Sequence, residues 1–297
     1  MSTLFDRLSQ ILPGLEEGTD KAEWSATKVE QEAQDVRNNG AFRWFARLGL
    51  LGRAVVYLVL GALIIQIAAN GRASSPADTQ GAFSEVARQP AGTEFLALLA
   101  FGLAAYALWR FVEALSRTPE GQRASGWTRV GWLASGALYV ALCVDVIRMI
   151  LGSKPNEGPE QHPSSFAANV FQLPLGPELL GLIGAAVAAG GIALTVWGIK
   201  HDYGKLLQTT QMGHRTLTVA RWTGVLGNTA RGIAVLLVTF SLIVSAVSDN
   251  PKEAKSLDAA LQALARTSFG APLLIAVGIG FLSFGVYSVI EARFRRV

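Results

Sequence analysis

Apolar residues in this chain come in long unbroken blocks rather than alternating with polar ones. The first, Ala46 to Ala69, holds two arginines and one glutamine in an otherwise apolar run, and five more follow near 93–115, 129–151, 177–199, 223–247 and 271–292. A bilayer core about 30 Å thick needs roughly 20 apolar residues of helix, so each block predicts a spanning helix. The polar stretches after the first, third and fifth blocks are long, and each holds a partly amphipathic piece before a glycine-containing turn. Ala82–Ala87 and Leu257–Ala265 are examples, and both predict short helices lying on the membrane surface.

The pattern repeats. Gly49, Gly52, Arg53, Ala54 and Tyr57 align with Gly131, Ala134, Ser135, Gly136 and Tyr139, and again with Gly227, Ala230, Arg231, Gly232 and Val235. In the second helices Gly102, Tyr106, Trp109 and Glu113 fall at the offsets of Gly280, Phe284, Tyr287 and Glu291. The middle copy keeps the length and lacks the acid. Repeats are read before other signals, and these give helix pairs at 43–122, 123–213 and 214–297. The predicted fold is an all-α integral membrane protein of six transmembrane helices in three tandem hairpins. Two spans per repeat make the repeats parallel, with a pseudo-threefold axis along the membrane normal.

Residues 1–42 read as an acidic arm with eight acids and four bases. Leu4, Phe5, Leu8, Ile11 and Leu12 share one helical face before Pro13-Gly14, and a second polar helix is predicted from Thr19 to about Arg37. The arm's net −4 within a total of +4 leaves +8 on the rest of the chain. Fourteen bases flank one end of the predicted spans and seven the other, which predicts cytoplasmic N- and C-termini in the plasma membrane. Six of the seven tryptophans fall at that same inner interface. Orientation and anionic lipid account for the basic loops, so no nucleic-acid partner is expected.

Arg47-Leu-Gly49, Gly52-Arg53 and Tyr57, then Gln89-Pro90-Ala-Gly92, then Tyr106-Ala-Leu-Trp109-Arg110 with Glu113-Ala114-Leu115, resemble a bacterial membrane family known as domain of unknown function 1206. The resemblance runs from about Phe42 to the C-terminus. It implies a multi-pass protein built of tandem transmembrane helix pairs and carries no activity with it.

Arg53 and Arg231 lie one to two turns inside the inner end of their helices, and Glu113 and Glu291 reach similar depth on the following ones. Charges at membrane depth are costly and usually paired. The expected arrangement is a structural ion pair within each repeat, Arg53 with Glu113 and Arg231 with Glu291; the alternative is separate snorkelling to headgroups. Asp145 and Arg148, three apart in the outer half of the third helix, form an intramembrane polar pair that either satisfies itself or marks a substrate or proton site. The fourth helix is rich in small residues, with Gly181, Gly184, Ala188 and Gly191 as packing positions. It is expected to be the most tightly packed helix or a contact between subunits, or else a hinge.

Enzyme signals are thin. His162 is placed in an outer loop, His201 and His214 in an inner one, and no metal-ligand spacing, phosphate-cradling loop or nucleophile elbow is present. The lone Cys143, inside the third block, permits no intrachain disulfide. No catalytic, metal or cofactor site is expected. Two functions compete: a non-catalytic accessory or scaffold subunit that packs against a larger membrane complex or self-associates in the lipid bilayer, and a small channel or carrier along the axis of the hairpins.

Overall fold

The structure, a computed structural model, describes residues 40–115, 125–152, 163–200 and 207–295. The two helices expected before residue 38, together with His162 and His201, lie outside the described residues. Among the described residues nine α-helices run in order: α1 (Gly40–Asn70), α2 (Thr79–Ala87), α3 (Gly92–Leu115), α4 (Gly126–Ile150), α5 (Pro163–Phe171), α6 (Gly176–Lys200), α7 (His214–Val247), α8 (Leu257–Ala265) and α9 (Gly270–Phe294). Six are long and apolar enough to cross a membrane, α1, α3, α4, α6, α7 and α9. This is a multi-pass membrane protein made of three helix pairs.

Two boundaries differ from the apolar blocks. α1 begins at Gly40, inside the stretch assigned to the arm, and α7 begins at His214, nine residues before its block. His214 therefore opens a helix instead of lying in a loop. A hydropathy block measures lipid thickness, while polar residues can continue the helix beyond it.

The end of the bundle with the short helices is built three times in the same way. α2, α5 and α8 are each nine residues long, and each is followed by a four-residue turn into a glycine that opens the next span. The fifth residue of each, Phe83, Ala167 and Leu261, is fully buried, so these helices are pinned onto the spans. A Cβ at Gly92, Gly176 or Gly270 would run into a carbonyl of the short helix before it, which leaves only glycine at the exit. Asp78 and Ser256 cap α2 and α8 by accepting from the Gly81 and Ala259 amides at 2.8 and 3.3 Å. Asp258 accepts from the Ala77 amide at 2.8 Å, tying the first short-helix loop to the third.

Around the axis the spans follow the order α1, α3, α4, α6, α7, α9 and back to α1. The three joints between repeats, α3 on α4, α6 on α7 and α9 on α1, are all packed. Within repeats, α1 packs on α3 and α7 on α9. A Cβ at Gly49 would stand 2.7 Å from the Tyr106 backbone, and one at the equivalent Gly227 would stand 2.6 Å from that of Phe284. The middle pair departs from this symmetry. α4 and α6 share no such joint, and the equivalent Gly131, like Gly190 across from it, has nothing within 4 Å. The six spans thus form a ring with one seam open.

That opening overturns one expectation. α6 was expected to be the most tightly packed span, yet only 17% of its apolar window is buried, against 56% for α1. Its small residues do serve close approach on one side, where Gly181, Gly184 and Gly191 meet Ala246, Ile243 and Leu236 of α7 and Ala188 is half-buried. On the other side Ala185, Ala186, Ala189 and Gly190 are exposed, because the helix they would meet stands away.

Candidate functional site

At the opposite end from the short helices, ionised side chains of α1, α3 and α9 close into a ring. Arg53 is 4% exposed and donates from three nitrogens. Its Nε reaches Ser288 Oγ at 3.1 Å, its Nη1 reaches Tyr106 Oη at 2.8 Å, and its Nη2 donates to Glu291. Glu291 also accepts from Arg295 one turn on. Arg295 donates to Glu113 at 3.0 Å, and Glu113 accepts from Arg110 at 2.7 Å. Arg110 returns to Tyr106 Oη from Nε at 3.0 Å and Nη2 at 2.7 Å, completing the circuit. Every ionised group in it meets an opposite charge, as burial in a low dielectric demands.

The aromatic groups shield this circuit. Arg295 lies over Trp109 with its Cζ 4.1 Å from the ring centroid, and Arg110 lies over the same ring at 4.9 Å. Tyr139 of α4 stacks on Tyr106 at 4.3 Å between centroids, so the ring touches the middle repeat through an aromatic contact.

The expected ion pairs within repeats are therefore replaced by pairs between them. Arg53 meets Glu291 rather than Glu113, and Arg231 does not meet Glu291. The cause is the cyclic order of the helices. The joint on which Arg53 lies faces the last helix of the preceding repeat, which for the first repeat is α9. Depth within a repeat was legible; the neighbour across the joint was not. By the same rule Ser135 falls opposite the position of Glu113, and Arg231 opposite the α6 position occupied by Trp197. Glu113 is thereby left for Arg110 and Arg295, and among the described residues Arg231 is left without an acid.

Arg231 is half-buried and lies over two rings, Phe284 at 4.4 Å and Tyr57 at 5.2 Å. Arg53 also lies over Phe284, at 4.9 Å. The circuit and Arg231 together hold four guanidinium groups and two carboxylates, an excess of two positive charges. Sequence reasoning missed Arg110, Arg295, Tyr106 and Ser288 as members. The spacings Arg110 to Glu113 and Glu291 to Arg295 were available as the signal, being three and four residues on a helix.

Asp145 is buried on α4 at 6% exposed, and Arg148 is half-buried one turn on. Among the described residues no three His, Cys, Asp or Glu side chains converge as a metal site requires.

This arrangement can be set beside known proteins. The sequence model of the family described as Domain of Unknown Function (DUF1206) matches three times, over residues 48–117, 130–201 and 226–295. The chain belongs to this family. Each match takes in one pair of spanning helices, so a DUF1206 unit is a helix pair with its short helix between. A Bacillus subtilis (strain 168) protein, described as uncharacterized protein YxxB, is 28% identical over 274 residues, covering 91% of this chain and 96% of that protein. No solved structure matches. In this DUF1206 protein the joints are what distinguish one repeat from another.

Proposed function

We propose that this DUF1206 protein is a non-catalytic accessory or scaffold subunit of the plasma membrane, with both termini cytoplasmic, and that it packs against a larger membrane complex through its middle repeat. The open seam carries this reading. Gly131 and Ala134 on α4, and Ala186 and Gly190 on α6, are small at the positions where repeats one and three bring backbones together, and all four are exposed. Small residues of this kind let a further transmembrane helix approach closely. The bases gathered at the end that holds Arg53 support the orientation.

A channel or carrier along the axis is less well supported. Toward the short helices α1 and α9 bury Leu60, Leu63, Ile64, Ile67, Leu274, Val277 and Phe281 in one apolar cluster, which offers a polar solute nothing to bind.

The test is gentle solubilisation of the tagged full chain, with a photo-crosslinker in place of Ala134 or Ala186. A second membrane protein in fixed ratio, crosslinked from both positions, is the expected result. A lone monomer or homo-oligomer with no heterologous crosslink overturns the reading and favours the carrier.

A further inference from the structure

We infer that Arg231 is the binding point for a phosphate oxyanion, carried by the headgroup of an anionic lipid or by free phosphate, that enters through the seam between α4 and α6. The argument begins with register. A Cβ on Gly285 of α9 would stand 3.2 Å from the Ala54 carbonyl of α1, and at the matching pair of Gly191 on α6 and Gly232 on α7 a Cβ on Gly232 would stand 2.9 Å from the Gly191 carbonyl. The α9–α1 and α6–α7 joints are therefore packed alike, so Arg231 stands to α6 as Arg53 stands to α9. The position that Glu291 holds on α9 is held on α6 by Trp197, and among the described residues Arg231 has no carboxylate at ion-pair distance.

The rings of Phe284 and Tyr57 give Arg231 a quadrupole and no counter-charge. A guanidinium at this depth without one is expensive. The neighbouring circuit offers no relief, since both of its carboxylates already accept from two arginines each. Access is open as well. Arg231, Tyr57 and Ser135 are half-buried where Arg53 is closed off, and the adjoining joint is the one the fold leaves unmade. A planar guanidinium with five donors fits phosphate oxygens two at a time, which favours phosphate over a spherical anion.

The experiment uses the full chain in phosphatidylcholine nanodiscs, with phosphatidylglycerol or inorganic phosphate added, read by thermal unfolding and by native mass spectrometry of retained lipid. Three variants serve: Arg231→Gln, Trp197→Glu, which supplies the missing carboxylate in cis, and Arg221→Gln, an exposed base on the same helix. Retained phosphatidylglycerol should fall about fivefold in Arg231→Gln and in Trp197→Glu while Arg221→Gln keeps it. Stabilisation by phosphatidylglycerol alone identifies the headgroup, and stabilisation by inorganic phosphate as well identifies the free ion. Equal retention in wild type and Arg231→Gln, or an equal loss in Arg221→Gln, overturns the site. If Arg231→Gln does not fold, Trp197→Glu decides, because a folded Trp197→Glu protein with undiminished retention refutes it.

Discussion

Replacing Glu291 by glutamine should test the circuit most directly. The amide keeps the shape of the carboxylate and removes the charge that Arg53 and Arg295 share. Arg53 would retain Tyr106 and Ser288, and Arg295 would retain Glu113, so the loss belongs at the lower end of the 3–5 kcal/mol typical of a broken buried pair, about 3 kcal/mol. At about 2–4 °C per kcal/mol for a chain approaching this size, the unfolding temperature should fall by about 6–12 °C. A double-mutant cycle then separates the two possible pairings. Arg53→Gln with Glu291→Gln should show a coupling of about 2 kcal/mol, and Arg53→Gln with Glu113→Gln less than about 0.5 kcal/mol, since contact is what generates coupling. Thermal unfolding in nanodiscs supplies all the values. A stronger coupling of Arg53 to Glu113 than to Glu291 would refute the pairing between repeats.

Gly49→Ala should cost about 1–3 kcal/mol, because its Cβ meets the Tyr106 backbone and no rotamer can relieve that, whereas Gly131→Ala should be neutral or slightly stabilising. The two unfolding curves, measured side by side, check the open seam. Burial, aided by the neighbouring Asp258 charge, raises the Asp78 carboxyl above its usual value, against the opposing hydrogen bond from the Gly81 amide. The folded protein therefore holds that proton more tightly than the unfolded one, so the contribution of Asp78 is most favourable below the ordinary carboxylate range and is lost as pH rises through the raised value. Asp78→Asn keeps the cap and should flatten this part of the stability profile, as unfolding temperatures across acidic pH will show.

Much of the fold was legible because bilayer thickness forces it: six blocks, three motif copies and two faces of unequal charge leave few architectures. The short helices were legible as amphipathic pieces before a glycine. The candidate site was half legible. Arg53, Glu113, Arg231 and Glu291 stood out as charges in apolar surroundings, but sequence periodicity places a residue at a depth and on a face without naming the helix opposite. The closed and open joints could not be told apart for a related reason. Gly49, Gly131 and Gly227 are the same residue at the same offset, and what separates them is whether an aromatic backbone or empty space lies across the gap.

The contact between α1 and α9, the most extensive between any two helices here, joins the beginning of the described chain to its end. Arg53 and Glu291 are 238 positions apart. At about 5–20 residues per second, a ribosome takes roughly 10–50 s to deliver the acid after the base. During that interval α1 is already in the bilayer with an arginine whose counter-ion has not been made. Tyr106, 53 positions downstream, arrives first and offers its hydroxyl. The order of membrane insertion thus runs from a provisional neutral partner to the permanent charged one, and the first helix of this protein is not finished until the last one enters.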